Sequence, residues 1–258
     1  MTPMKAIDDM RTVCRLSFAL ANAKFRQRIA GRYLGILWYI LEPLAFFLIL
    51  LFLQANIGAA AIPRYPAYLL IGIIMLNFFV SCTGSALTSM RENKNLIQSV
   101  NIRTEALPLA TVIQFCYSHF FEFVLFVVAI VIANDFSWNI VWYPVVFFVY
   151  AAFVLGCSYV LATIGVFIED FNNIWSVASR LIWLGTPVFY VLTEGNLLYD
   201  ANRLNPLYYF LTAARQAVVY GVMPDGTLIA VLISVSVSTL AVGLAIFAKY
   251  RRRFAEFI

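Results

Sequence analysis

His119 and Glu122 lie three residues apart inside a long apolar run, so a helix carries both on one face. With a helix start near Glu105, at about 1.5 Å per residue, His119 lies roughly 20 Å along it, toward the middle of a bilayer. An acid at that depth costs on the order of 2.5–3.5 kcal/mol on insertion scales, so Glu122 must face protein or water. Three readings stay open: a proton relay, a ligand contact, or a hydrogen bond that packs the pair together or against a neighbouring helix. Glu42, beside Pro43, is a second acid in an apolar run, two turns from its start, where snorkelling or capping also fits. Covalent chemistry finds little support. No Gly-Lys dipeptide occurs, which rules out a G-x-x-x-x-G-K-[ST] phosphate loop, and neither H-E-x-x-H nor G-x-S-x-G appears. Cys14, Cys82, Cys116 and Cys157 are scattered, with neither metal-ligand spacing nor the pattern of a disulfide framework. If ATP powers this protein, another subunit must bind it.

The elements that must position these residues are membrane helices. Of the residues, 63% are hydrophobic and only 12% charged, about half the charged share of soluble domains. Six stretches reach the roughly 20 residues that a crossing needs: Leu34 to Ile57, Pro66 to Met90, Glu105 to Ala133, Ile140 to Ile168, Ile174 to Leu192 and Thr227 to Ala248. Six crossings put both termini on one side. Fifteen of the 18 Lys and Arg then share that side, among them Arg180 by the fourth-to-fifth connection, against Arg64, Arg203 and Arg215. The positive-inside rule makes that side cytoplasmic. The basic balance reports topology and calls for no nucleic-acid partner. The fold expected is an all-α membrane protein, with residues 1–33 as an interface helix and 34–258 as a six-helix transmembrane domain.

Within the arm, Ile7, Met10, Cys14, Phe18, Ala21, Phe25 and Ile29 recur at spacings of three and four, the apolar stripe of a helix, while Arg11, Arg15 and Arg26 take another face. Such a basic amphipathic helix is expected to lie along the membrane surface and dock a partner or lipid. Residues 194–225 are too polar for a crossing. Asn205 before Pro206 reads as an N-cap with proline at the first helical position, so a short helix runs from Pro206 to about Tyr220, carrying Arg215, in an external or re-entrant hairpin. Aromatic residues crowd the last third, including Trp183, Tyr190, Tyr208 and Tyr209. They read either as stacking platforms for sugar rings or as the ordinary interfacial belt.

The run Arg32 to Leu44, Arg-Tyr-Leu-Gly-Ile-Leu-Trp-Tyr-Ile-Leu-Glu-Pro-Leu, resembles the Leu-Gly-x-x-Trp-x-x-x-x-Pro start of the first span in type-2 ABC exporter permeases, most of all the group that exports capsule, O-antigen or teichoic acid. Glu169-Asp170-Phe171, Thr186-Pro187-Val188 and Asn205-Pro206-Leu207-Tyr208-Tyr209 with Arg215 follow in the order of that family's C-terminal half. The resemblance implies a homodimer in the bacterial inner membrane, two copies of a separate ATPase that holds ATP and Mg, and a glycan on an undecaprenyl-type lipid as cargo. It places ATPase coupling at Arg11, Arg15, Arg91, Asn93, Lys94, Glu169 and Asp170. Glu169 departs from the family, which often has Arg there. A collar of Arg26, Arg28, Arg32 and Arg103 would receive the lipid's pyrophosphate, since guanidinium pairs phosphate bidentately. Trp38, Tyr39, Trp183, Tyr190, Tyr208 and Tyr209 would line the path. Small-molecule ABC export and proton-coupled transport through His119 and Glu122 are the competing functions.

Overall fold

The computed structural model describes residues 3–30, 37–57, 62–99, 102–134, 136–192, 195 and 197–257, without the side chains of residues 3–9, 29, 39, 57 and 255. Arg32, the start of the first expected crossing at Leu34 and the side chain of Tyr39 lie outside the described residues. Among those described, all regular structure is helical: α1 (Pro3–Ile29), α2 (Trp38–Ile57), α3 (Tyr65–Glu92), α4 (Lys94–Ser99), α5 (Ala106–Ile132), α6 (Trp142–Phe167), α7 (Phe171–Gly185), α8 (Leu197–Arg203), α9 (Pro206–Val218), α10 (Gly226–Tyr250) and α11 (Phe254–Phe257). Four helical segments are long and apolar enough to cross a membrane: Tyr65–Glu92, Ala106–Ile132, Trp138–Phe167 and Gly226–Arg253.

The centre of the bundle is α3. Leu69, Ile71, Ile73, Ile74 and Met75 have no exposed surface, because α2, α5, α6, α7 and α9 surround the helix on all sides. Its N-terminal half, from Tyr65 to Leu76, is apolar all round, which is what such a position requires. α10 packs on α6 at a crossing where backbones touch: a Cβ on Gly156 would stand 2.6 Å from the Leu240 nitrogen, and only glycine permits that approach. The opposite side of α10 turns Val231, Val237 and Val242 outward, as a lipid-facing helix does.

One expectation needs correction. The fifth apolar stretch is not one helix to Leu192; α7 has 15 residues and stops at Gly185. At 1.5 Å per residue it is about 22 Å long, short of a hydrocarbon core of about 30 Å. The cause is local. Pro187 disfavours helical backbone in the residue before it, and Thr186 takes φ −86° and ψ 135°.

α1 docks on α5 with a face that shares Ala21 and Phe25 with the apolar stripe and turns Met10 and Phe18 of that stripe outward. Ser17 and Ala21 are fully buried there while Met10 and Phe18 are 68% and 53% exposed. Small side chains let the helices approach, and the Ser17 hydroxyl reaches the Ala106 carbonyl at 3.2 Å. Of the described stripe, Phe25 still packs on α5, its ring 5.6 Å from Tyr117 and 6.3 Å from Phe121.

Candidate functional site

A backbone break at Leu184–Tyr190 ties together the motifs that stood far apart in the sequence. Where helical hydrogen bonding ends, carbonyls need other donors, and non-helical backbone at membrane depth survives only inside protein. Here every one from Leu184 to Tyr190 has a donor. Tyr190 Oη donates to Leu184 and Gly185 at 3.0 and 2.9 Å, and Asn202 Nδ2 also reaches Gly185 at 2.8 Å. The Val188 N–H serves Thr186 at 2.7 Å. From α3, Tyr68 Oη reaches Pro187 at 3.3 Å and Tyr190 at 2.8 Å, while Tyr65 Oη serves Phe189 at 3.3 Å.

The Val188 carbonyl belongs to Arg215, whose Nη2 lies 2.9 Å from it. This guanidinium, 4% exposed, sits 3.4 Å from the centre of the Tyr68 ring. Burial lowers its pKa to about 10, which leaves it charged at neutral pH. Gly72 makes room, since a Cβ there would stand 2.9 Å from Arg215 Nη2. Asn205 caps α9 as read, its Oδ1 accepting from the Leu207 N–H at 3.0 Å, and its Nδ2 adds a bond to Thr186 Oγ1 at 3.1 Å. Thr186, Asn205 and Arg215 therefore form one contact holding the α8–α9 hairpin against the end of α7.

Beside this break, α2 and α7 enclose a groove. One part, about 610 Å³, is lined by Phe46, Trp175, Ser176, Arg180 and Trp183 among others; the next, about 620 Å³, by Trp38, Glu42, Ala45, Ile49 and Asn77, with Phe46 and Trp183 common to both. Phe46 and Trp183 meet edge to face with centroids 4.8 Å apart. Aromatic faces interrupted by a few polar groups suit an amphipathic ligand. Trp38 and Trp183 were expected on such a path, and Glu42 lines it. Tyr190, Tyr208 and Tyr209 stand elsewhere: Tyr190 caps α7, and Tyr209, packed on Tyr208, donates to the Arg203 carbonyl at 2.9 Å.

Phe46, Asn77 and Arg180 also line the groove, a place that sequence reasoning missed, and Trp175, one of the aromatic residues that crowd the last third, lines it too. Arg180, read as lying by the fourth-to-fifth connection within the fifth apolar stretch, stands inside α7. The signal was the spacing Asn172, Ser176, Arg180, Trp183, a polar and aromatic stripe opposite the exposed apolar face of Ile174, Val177, Leu181 and Leu184.

A smaller cavity of about 200 Å³ adjoins the groove at Glu42 and Asn77 and is lined further by Arg28, Ser81, Ser118 and Glu122. His119 does not open into it. Its Nε2 pairs with Tyr143 Oη at 2.8 Å and its ring stacks on Phe147 at 4.0 Å. Its Nδ1 stands 3.7 Å from Glu122 Oε2, too far for a hydrogen bond. The arginine collar is not brought together either: Arg28 lines this cavity, Arg26 is exposed, and Arg103 lines a separate cavity with Arg251 and Arg252.

The residues expected at the coupling surface divide. Arg91 is a clamp: Nε donates to the Gly165 carbonyl at 2.8 Å, Nη2 to that of Val166 at 3.3 Å, and Nη1 pairs with Glu169 at 2.6 Å. Asn93 Nδ2 turns back to the Ser89 carbonyl at the end of α3, 2.7 Å away. Arg11, Arg15, Lys94 and Asp170 are exposed.

The profile of the ABC-2 type transporter family matches residues 15–219. The chain is 26% identical over 250 residues to the O-antigen export system permease protein RfbA of Myxococcus xanthus, covering 94% of this chain and 95% of that one. It is 24% identical over 249 residues to the RfbA of Klebsiella pneumoniae, with 94% and 95% covered. Against the polysialic acid transport protein KpsM of Escherichia coli identity is 22% over 234 residues, covering 89% and 91%. With four apolar helices of crossing length among the described residues and a family match over most of its length, the chain belongs to the ABC-2 type transporter family as a membrane permease subunit.

Proposed function

We propose that this chain is the transmembrane subunit of an ATP-driven exporter that carries a lipid-linked polysaccharide of O-antigen or capsule type across the bacterial inner membrane. The observation that carries the reading is similarity to O-antigen export permeases along 94% of the chain. The aromatic groove between α2 and α7 agrees with it, offering ring faces for stacking and Glu42, Asn77 and Arg180 for hydroxyl groups.

In this reading the chain crosses six times, with α2 as the first crossing and α7 plus the satisfied Thr186–Tyr190 segment as the fifth, and both termini are cytoplasmic. Two copies pair. The exposed apolar faces of α2 (Leu48, Ile49, Phe52) and of α7 support a partner there. Two copies of a separate ATPase bind ATP and Mg and dock on Arg11, Arg15, Lys94 and Asp170. Closure of the ATPases shifts packed helices between two arrangements and moves glycan along the groove, while the hairpin held by Asn205 and Arg215 shapes the exit. Arg28, in the inner cavity, is the collar residue placed to meet the lipid's pyrophosphate.

Depletion of the protein in its native host tests this. Glycan on a polyprenyl lipid is expected to accumulate inside the cell. Absence of accumulation, with an ATPase still co-purifying, would point to small-molecule export.

A further inference from the structure

The cavity of about 200 Å³ beside the groove gathers oxygen-bearing side chains from three helices. Asn77 and Ser81 follow each other at i, i+4 on α3, and Ser118 and Glu122 do so on α5, so each helix turns one polar edge to the same space. Glu42 of α2 stands where cavity and groove join. Ser118 is 4% exposed and its Oγ has no partner among the described residues. No side-chain hydrogen bond joins Glu42, Asn77, Ser81 or Glu122 to another described residue either. Glu122 lies about 24 Å along α5 and is 12% exposed, a depth at which a carboxylate calls for a counter-charge. His119 does not supply it by hydrogen bonding, being turned to Tyr143. The lining sets two carboxylates against the guanidinium of Arg28. Counting Arg28 at full charge, the least favourable case for a cation, still leaves one negative charge.

We propose that this cavity binds one alkali-metal cation through the carboxylates of Glu42 and Glu122, the amide oxygen of Asn77 and the hydroxyls of Ser81 and Ser118. Carboxylate, amide and hydroxyl oxygens are the ligands of hard cations, and the volume leaves room for waters to complete the shell. Charge selects a monovalent ion: the lining balances one positive charge, and Arg28 opposes a second. A proton held by the two carboxylates would leave Asn77, Ser81 and Ser118 without partners, at the cost that buried polar groups carry when unbonded, whereas a cation engages all five residues. Glu42 also lines the groove beside Trp38 and Phe46, so the ion sets the charge that cargo meets there. The inference is independent of the glycan reading.

The test is equilibrium binding of radiolabelled sodium, and of rubidium in place of potassium, to the purified full-length protein with whatever subunits accompany it. Ionic strength is held constant with N-methylglucamine chloride, and neither nucleotide nor glycan is present, so failure here leaves the export reading untouched. Saturable binding of one ion per chain is expected for at least one of the two metals. Glu122→Gln, which removes a charged ligand, should weaken binding about tenfold or more, and Ser118→Ala, which removes a neutral one, about fivefold. Absence of saturable binding to wild type, or unchanged affinity in Glu122→Gln, would overturn the proposal. Displacement of the bound metal by submillimolar magnesium or calcium would identify a divalent-ion site and also overturn it. If Glu122→Gln fails to fold, Ser118→Ala decides, since unchanged affinity there removes this cavity from the binding site.

Discussion

Replacing Tyr68 by Phe removes one oxygen atom and tests whether the α7 break depends on donors from α3. Tyr68 Oη lies 2.8 Å from the Tyr190 carbonyl and 3.3 Å from that of Pro187, and neither acceptor has a helical N–H to fall back on. The ring, with Arg215 over it, stays. Losing the bond and stranding an acceptor away from water costs about 2 kcal/mol, equivalent to roughly 4–8 °C in melting temperature for a chain of this size. Tyr150→Phe is the matched control. Its hydroxyl is as deeply buried and donates at 2.9 Å to Met75 O, but that carbonyl lies inside α3, where the helix already supplies a donor. Its loss should stay below about 1 kcal/mol. The assay is the temperature at which each detergent-purified variant loses its monodisperse chromatographic peak. Equal shifts for the two variants, or no shift for Tyr68→Phe, would refute the idea that side chains sustain the break.

Other expectations follow from the same contacts. Gly156→Ala places a methyl against the α10 backbone and should destabilise by about 1–3 kcal/mol, whereas Gly185→Ala, with open space around its Cβ, should remain monodisperse; chromatography of both reads the difference. Glu169→Gln removes an exposed partner of Arg91 and should change stability by less than about 1 kcal/mol, while Arg91→Gln frees two carbonyls and should cost about 1.5–3 kcal/mol, so the two melting curves should separate. Asp170→Lys should leave membrane insertion intact and uncouple ATP hydrolysis from export; wild-type coupling in that variant would remove the α6–α7 turn from the ATPase contact. Trp183→Ala in the groove should reduce export severalfold at unchanged protein level, since an aromatic stacking contact is worth about 0.5–1.5 kcal/mol.

Helical class, the four strongest crossings and the Asn205–Pro206 cap were legible because each depends on local chemistry: apolar length, or a side chain that bonds its own backbone. The end of α7 was half legible. Gly185 and Pro187 mark a stop, but an apolar run to Leu192 reads as a helix unless the chain can satisfy carbonyls from afar, and those donors are Tyr65, Tyr68, Asn202 and Arg215, far away in sequence. That Arg180 lines the groove was not legible, because its neighbours there, Phe46 and Val80, come from other helices. Which face of α1 meets the bundle was not legible, because small side chains that permit close approach leave no mark in hydropathy. In the bundle, Ser17 and Ala21 make the contact, and Met10 and Phe18 point away. The site was partly legible: Trp38, Glu42 and Trp183 share a groove, while the arginine collar is split between two cavities because α1 and the start of α5 meet different neighbours.

On the proposed function, this subunit moves lipid-linked glycan when a separate ATPase hydrolyses ATP. The most direct measurement reconstitutes the purified subunit with its co-purifying ATPase in liposomes, loads lipid-linked glycan on the ATPase side, and follows its accessibility to a glycosidase confined to the other side. ATP-dependent exposure of the glycan, lost in Trp183→Ala, is the expected result. Exposure without ATP, or exposure driven by a proton gradient alone, would contradict the account.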